Sequence, residues 1–246
     1  MSAKDDMLKR VRSALGRPPT AVSSTRRHDC DELPELGPVL APVPPGELVS
    51  KFEAEFQKVS GQAHHASSLL EMDQILRDIL AACGPGPAMF SRNPILGRLD
   101  LPERVKALGR PVKEWLHDRD ITAQQGEQFR SECFSSSVGF TGVEFALAES
   151  GSLVLSSLTE GSQLTSLAPP VHVAVFRRNQ VVETLEEVLV SISGELGASM
   201  PGRSVVFVTG SSRTADIEQI TIHGVHGPTQ VHAILAEDAC FSYPTL

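Results

Sequence analysis

The chain has 246 residues, 41% of them hydrophobic, and 22 Lys+Arg against 30 Asp+Glu for a formal net charge of -8. That length suits one sizeable domain or two small ones, and the apolar fraction is enough to bury a core. The acidic balance excludes the basic face that a nucleic-acid partner demands, and no apolar run is long enough to cross a bilayer. Lys4 to Arg12 is charged but no long apolar stretch follows, so no secretory signal is read and the cytoplasm is the expected compartment.

Met7, Leu8, Val11 and Leu15 recur at helical spacing and predict a short amphipathic helix over Lys4 to Leu15. Arg17 to Pro45 holds seven prolines and no apolar period, which reads as an extended arm. The expected organisation is therefore a helix plus Pro-rich arm over residues 1–45 and a body over residues 46–246. In the body, Leu48, Phe52, Phe56 and Val59 mark one helical face. Ser68 and Glu71 have capping-box spacing ahead of a helix from Leu69 to about Ala82, and Gly84 to Pro87 breaks it. Ala88 to Ser91 reads as a short buried strand and Glu103 to Leu108 as a helix.

Further on, Phe145 to Ala148 and Leu153 to Ser156 are apolar runs flanking a polar turn, and Val171 to Phe176 is a strand. Thr184 and Glu187 repeat the capping-box spacing before a helix ending near Ile192. Ser204 to Val208 is a dense apolar run, expected as a strand covered on both faces. Val231 to Leu235 is a further strand. Strands alternating with helices predict an α/β fold, a three-layer sandwich around a mainly parallel sheet with helices on both faces.

Three segments carry groups with chemistry. Thr209 to Glu218 follows a strand directly. Gly210 permits a sharp turn, Ser211, Ser212 and Thr214 supply hydroxyls, and Arg213 offers a fork for a carboxylate or phosphate, with Asp216 beside it. Anion binding and plain helix capping both fit this loop. His223, Gly224, His226 and Gly227, with Pro228, form a tight turn whose imidazoles suit hydrogen bonding or acid–base work. Their spacing is not a metal-binding one, and a purely structural turn fits as well. Thr141 to Ser152 places Glu149 where a strand meets a turn, next to Ser150, Gly151 and Ser152. Glu149 and His226 are the expected catalytic groups. A solvated turn glutamate is the alternative for Glu149. The polar loop from Gly161 to Leu167 is expected to close over the same crevice. His64, His65, His172 and His232 are expected as core or surface residues. Cys30, Cys83, Cys133 and Cys240 are scattered without a C-x-x-C pair, so no iron–sulfur cluster is expected on this chain.

Several runs in order resemble the lactate-utilisation protein C family, whose shared unit is the LUD domain. They are Gly139-Phe140-Thr141-Gly142, Ala148 to Leu155, Ser166 to His172, Ser211 to Glu218 and Gly224 to Pro228. Ala14-Leu15-Gly16-Arg17 is similar as well, and the stretch before Gly139 matches loosely. Gln163 stands where the family often has Arg, and Ser150 and Ser152 replace commoner threonines. The resemblance implies a Rossmann-like fold of the ribose-phosphate isomerase and CoA-transferase kind. It also implies a role in oxidising L-lactate to pyruvate with iron–sulfur partner subunits that carry the clusters this chain lacks. A small carboxylate or other anion would then lie against Thr141, Ser150, Gly151, Ser152 and Gly210 to Thr214, together with Asp216, His223, Gly224 and Gly227. Two other readings stay open: an enzyme acting alone on a CoA ester or sugar phosphate with Glu149 as nucleophile, and a non-catalytic assembly subunit docking through its N-terminal arm.

Overall fold

A computed structural model describes residues 7, 9–11, 13, 42–114, 122–196, 204–214, 222–223 and 227–241, with the backbone alone for 193–196, 213–214 and 222–223. The chain divides into two units, Met1–Ala41 and Pro42–Leu246. In the first, the described residues Met7, Lys9, Arg10, Val11 and Ser13 are helical. The remainder of the expected helix, Cys30 and the arm up to Ala41 lie outside the described residues.

In the second unit, the strands are β1 (Gln62–Ala66), β2 (Ala88–Phe90), β3 (Val112–Glu114), β4 (Val138–Thr141), β5 (Phe145–Leu147), β6 (Ser152–Ser156), β7 (Val171–Phe176), β8 (Val181–Val182), β9 (Val205–Val208), β10 (Arg213–Thr214), β11 (Ile222–His223) and β12 (Gln230–Ala236). The helices are α1 (Leu48–Lys58), α2 (Leu69–Ala82), α3 (Pro94–Arg98), α4 (Leu101–Ala107), α5 (Ala123–Ser135), α6 (Ser157–Glu160), α7 (Leu164–Leu167) and α8 (Leu185–Leu196). A six-stranded sheet has the order β1-β12-β7-β4-β2-β3, and every pairing in it is parallel. A smaller sheet has the order β8-β5-β6-β9 and is mixed. The fold is thus α/β with a parallel central sheet, as the alternation of elements predicts.

Side-chain alternation along the strands decides the layers. Ala66, Phe90, Val138, Phe140 and Val175 point to one face, where Met72 and Leu76 of α2, Leu96 of α3 and Val105 of α4 cover them. Phe90 and Phe140, opposite each other in the β2–β4 ladder, stack at 4.6 Å between centroids. Ala174, Phe176, Ala233 and Leu235 point to the other face and meet Phe52 and Phe56 of α1 together with Ala146, Leu153 and Leu155 of the small sheet. On that same face Met89 packs with Phe129 and Cys133 of α5. The outer face of the small sheet, Leu147 and Val154, is closed by Val188 of α8.

Both caps expected from spacing are present. Glu71 N donates to Ser68 Oγ at 3.3 Å, while the Glu71 carboxylate reaches one residue further back and accepts from Ser67 N at 2.8 Å. Glu187 N donates to Thr184 Oγ1 at 3.3 Å, and α8 continues to Leu196. One expectation is corrected. The run ending at Val208 is not fully covered: among the described residues β9 is an edge strand of the small sheet, antiparallel to β6 alone, and Phe207 is 40% exposed. Val208 packs toward the large sheet and Val205 under α8, but at the edge of the small sheet both are only partly buried. Among the described residues, no helix is long and apolar enough to cross a membrane.

Candidate functional site

Two glycines draw the expected site loops onto one place. Gly151 has φ +61°, and a Cβ there would lie 2.2 Å from Phe56 N; Gly210 has φ +79°, and a Cβ there would lie 1.9 Å from Val59 O. Both positions therefore demand glycine for conformation and for space, and both fold their loops against the C-terminal end of α1. Between them runs a chain of hydroxyls: Ser150 Oγ to Ser152 Oγ at 2.7 Å, then Ser152 Oγ to Thr209 Oγ1 at 2.7 Å. Each hydroxyl donates once and can accept again, so the chain can pass polarity to a ligand at either end.

The third loop joins through the backbone. Ser212 N donates to Pro228 O at 2.9 Å, and Gly227 lies against Ser212, its Cβ position 3.4 Å from Ser212 Cβ. Arg213 pairs with His223, and Thr214 with Ile222, in the β10–β11 ribbon. Ser211 is buried. The structure thus brings Ser150, Gly151, Ser152, Gly210, Ser211, Ser212, Gly227 and the backbones of Arg213, Thr214 and His223 into one region. Asp216, Gly224 and His226 lie outside the described residues.

Two expected members stand elsewhere. Glu149 is exposed, and its Oε2 accepts from Leu185 N at 3.0 Å at the start of α8, as a helix cap does. Thr141 is fully buried at the carboxyl end of β4, where its Oγ1 pairs with His172 Nε2 at 2.8 Å. The Gly161–Leu167 loop does not reach the hydroxyl chain. Gln163 Nε2 donates to Ser204 Oγ at 2.8 Å, at the opposite end of β9 from Thr209 and so about 17 Å away along the strand. The 209–213 loop also follows the small sheet's edge strand and not a strand of the parallel sheet, so the strand-end rule for open α/β sheets does not apply to it.

The strand ends of the parallel sheet hold a different cluster. Glu160, the last residue of α6, is fully buried. Its Oε2 accepts from Ser91 Oγ at 2.6 Å and from Gly142 N at 3.2 Å, and its Oε1 accepts from Asn93 Nδ2. Burial pushes its carboxyl up to about 7; hydrogen bonds from Ser91, Asn93 and Gly142 work against that rise, and Glu144 adds to it. The strands also bury two histidines, His172 and His232. His172 is lowered to about 3 by burial, and His232 to about 4 by burial and by His64, whose Nε2 lies 2.9 Å from His232 Nδ1. Both core imidazoles are therefore neutral at physiological pH.

A family model for the LUD domain matches residues 49–236. The chain belongs to the LUD domain family. It is 26% identical to lactate utilization protein C of Geobacillus thermodenitrificans over 241 residues, 96% of each chain. To lactate utilization protein C of Bacillus licheniformis it is 30% identical over 183 residues, 70% of this chain and 73% of that one. The crystal structure of a DUF162 family protein from Deinococcus radiodurans superposes with a TM-score of 0.55 at 20% identity, covering 79% of this chain and 99% of that one, a likeness of fold.

In this LUD domain the cluster that sequence reasoning missed is Ser91, Asn93, Gly142 and Glu160. Ser157-Leu158-Thr159-Glu160-Gly161 reads locally as a solvated helix end. Its burial comes from residues 91–93 and 142, contributed by strands distant in sequence.

Proposed function

We propose that this chain serves lactate utilisation as a cluster-free subunit of a system that oxidises L-lactate to pyruvate, with iron–sulfur partner subunits carrying the electrons. What supports the role is the kinship with lactate utilization protein C along 96% of both chains. The substrate carboxylate is assigned to the Gly210–Arg213 loop. The observation that carries this assignment is the Ser150–Ser152–Thr209 hydroxyl chain ending where Gly210 turns the backbone toward Arg213. Hydroxyls and loop amides supply donors for an anion, and a guanidinium adds a bidentate fork. Glu149 caps α8 and the side chain of His226 is not described, so proton removal from the substrate hydroxyl is assigned to neither.

Isothermal titration of the full chain with L-lactate tests the reading. Saturable binding is expected, weakened about tenfold or more in Arg213→Ala, the loss typical of a charge-assisted hydrogen bond. Equal binding by wild type and variant removes the site, and absence of binding to the chain and to its assembled complex removes the ligand.

A further inference from the structure

The order β1-β12-β7-β4-β2-β3 contains a reversal of winding. From β2 the chain moves outward to β3, returns to β4, and then proceeds the other way to β7 and β12. In open α/β sheets, ligands bind in the crevice outside the strand ends at such a reversal. Here the carboxyl ends of β2 and β4 carry Ser91 and Asn93 on one side and Thr141 and Gly142 on the other; Asn93 packs directly on Gly142, and Ser91, Asn93 and Gly142 all donate to the buried Glu160.

The hydrogen bonds of this cluster are directional. Asn93 is spent twice, donating to Glu160 and accepting from Ile95 N at 3.1 Å to cap α3. Ser91 commits its proton to Glu160 at 2.6 Å, so its oxygen can act toward a ligand only as an acceptor. That oxygen receives a long bond from Asn93 N at 3.4 Å and keeps a lone pair. Half-buried Arg92, Glu144 and Thr159 stand around the cluster. The charged neighbours are Glu144, whose Oε1 accepts from Thr159 Oγ1 at 2.6 Å, and Arg92, which donates to Leu158 O at 3.0 Å. A second observation, on the neighbouring strand β7, is a missing hydrogen-bonding partner. Beyond Thr141, the fully buried His172 Nδ1 has no partner among the described residues.

We propose that this crevice is a second ligand site, taking a small hydroxylated molecule whose hydroxyl donates to Ser91 Oγ, with Glu160 as the positioning residue that keeps the Ser91 oxygen turned toward the ligand. The site is separate from the Gly210–Arg213 loop, since Ser152 and Ser156, at opposite ends of β6, are about 13 Å apart. An ionised Glu160 holds the Ser91 proton firmly, and a protonated one competes with it. Ligand affinity therefore rises as pH rises through the range in which Glu160 ionises.

Amide chemical shifts of the full chain, titrated with L-lactate, propionate and glycerol, test this. L-lactate and glycerol are expected to move the Ser91, Asn93 and Gly142 amides, while propionate, which lacks the hydroxyl, leaves them in place. Ser91→Ala is expected to weaken both ligands about tenfold or more. Glu160→Gln, checked for native shift dispersion, is expected to flatten the pH dependence of glycerol affinity. If L-lactate moves only the Gly210–Arg213 amides and glycerol moves none, the crevice proposal is overturned and the lactate reading stands. If glycerol moves Ser91 and L-lactate moves nothing, the lactate reading fails and the crevice stands. If no probe moves either region, both are overturned.

Discussion

Glu160→Gln is expected to steepen the loss of stability in mild acid. The carboxyl of Glu160 is raised to about 7 in the folded chain, so the native state binds a proton that the unfolded state releases. The stability this supplies is full below the unfolded pKa and is lost as pH rises through the folded value. At about 1.4 kcal/mol per unit, cooling the pH from about 7 to about 5 recovers about 2 kcal/mol from this one group. The buried imidazoles act with the opposite sign. His172 and His232 are lowered to about 3 and about 4, so their stability is present above the unfolded histidine pKa and is lost as pH falls. Over the same interval each loses about 2 kcal/mol, their sum being an upper bound because the two are coupled. Wild type therefore loses a net amount of about 2 kcal/mol, and Glu160→Gln about 4. The amide places a donor opposite Asn93 or Ser91, which costs about 1–3 kcal/mol at every pH and leaves the slope untouched. Urea unfolding at about pH 7, 6 and 5 reads the slope directly. Parallel curves for the two proteins would refute the buried, neutral-poised carboxyl.

Three further outcomes follow from the packing. Gly210→Ala is expected to cost about 2–4 kcal/mol in urea unfolding, since the left-handed backbone and the Val59 carbonyl at 1.9 Å from the new Cβ both oppose it. Phe176→Ala, which empties a core position against Phe52, is expected to cost about 3–5 kcal/mol, whereas Phe207→Ser on the edge strand changes stability by less than about 1. Removal of residues 1–41 is expected to leave the urea midpoint of the body unchanged, because Pro42–Leu246 forms its own compact unit, while abolishing co-purification with iron–sulfur partners if the arm is the docking element.

Much of the fold was legible where burial is continuous along the chain. β7 and β12 lie in the sheet interior, and their runs, apolar but for His172 and for Gln230 and His232, announce strands. α2 was legible from Ser68 and Gly84 at its ends. β1 was not, because Gln62-Ala-His-His-Ala has no strand signature; its histidines are paired from outside, His64 with His232 and His65 with Glu237. α5 escaped notice because only Phe129 and Cys133 of its residues are buried, too few to mark a period. β4 was seen only as a motif, since Gly139 interrupts it; a Cβ there would sit 1.9 Å from the Thr165 carbonyl, which explains the glycine. At the candidate site the small residues were legible because turn geometry is local, as with Gly151 and Gly210. The β2–β4 crevice was not, because its one ionisable group owes its burial to chain segments far away in sequence.

Growth on L-lactate as sole carbon source, in a strain lacking this gene, puts the proposed role to the most direct trial. Restoration by the wild-type chain and failure of Arg213→Ala expressed at the same level are the predicted results. Undiminished growth of the deleted strain, with lactate consumed at the parental rate, would contradict the assignment to lactate utilisation.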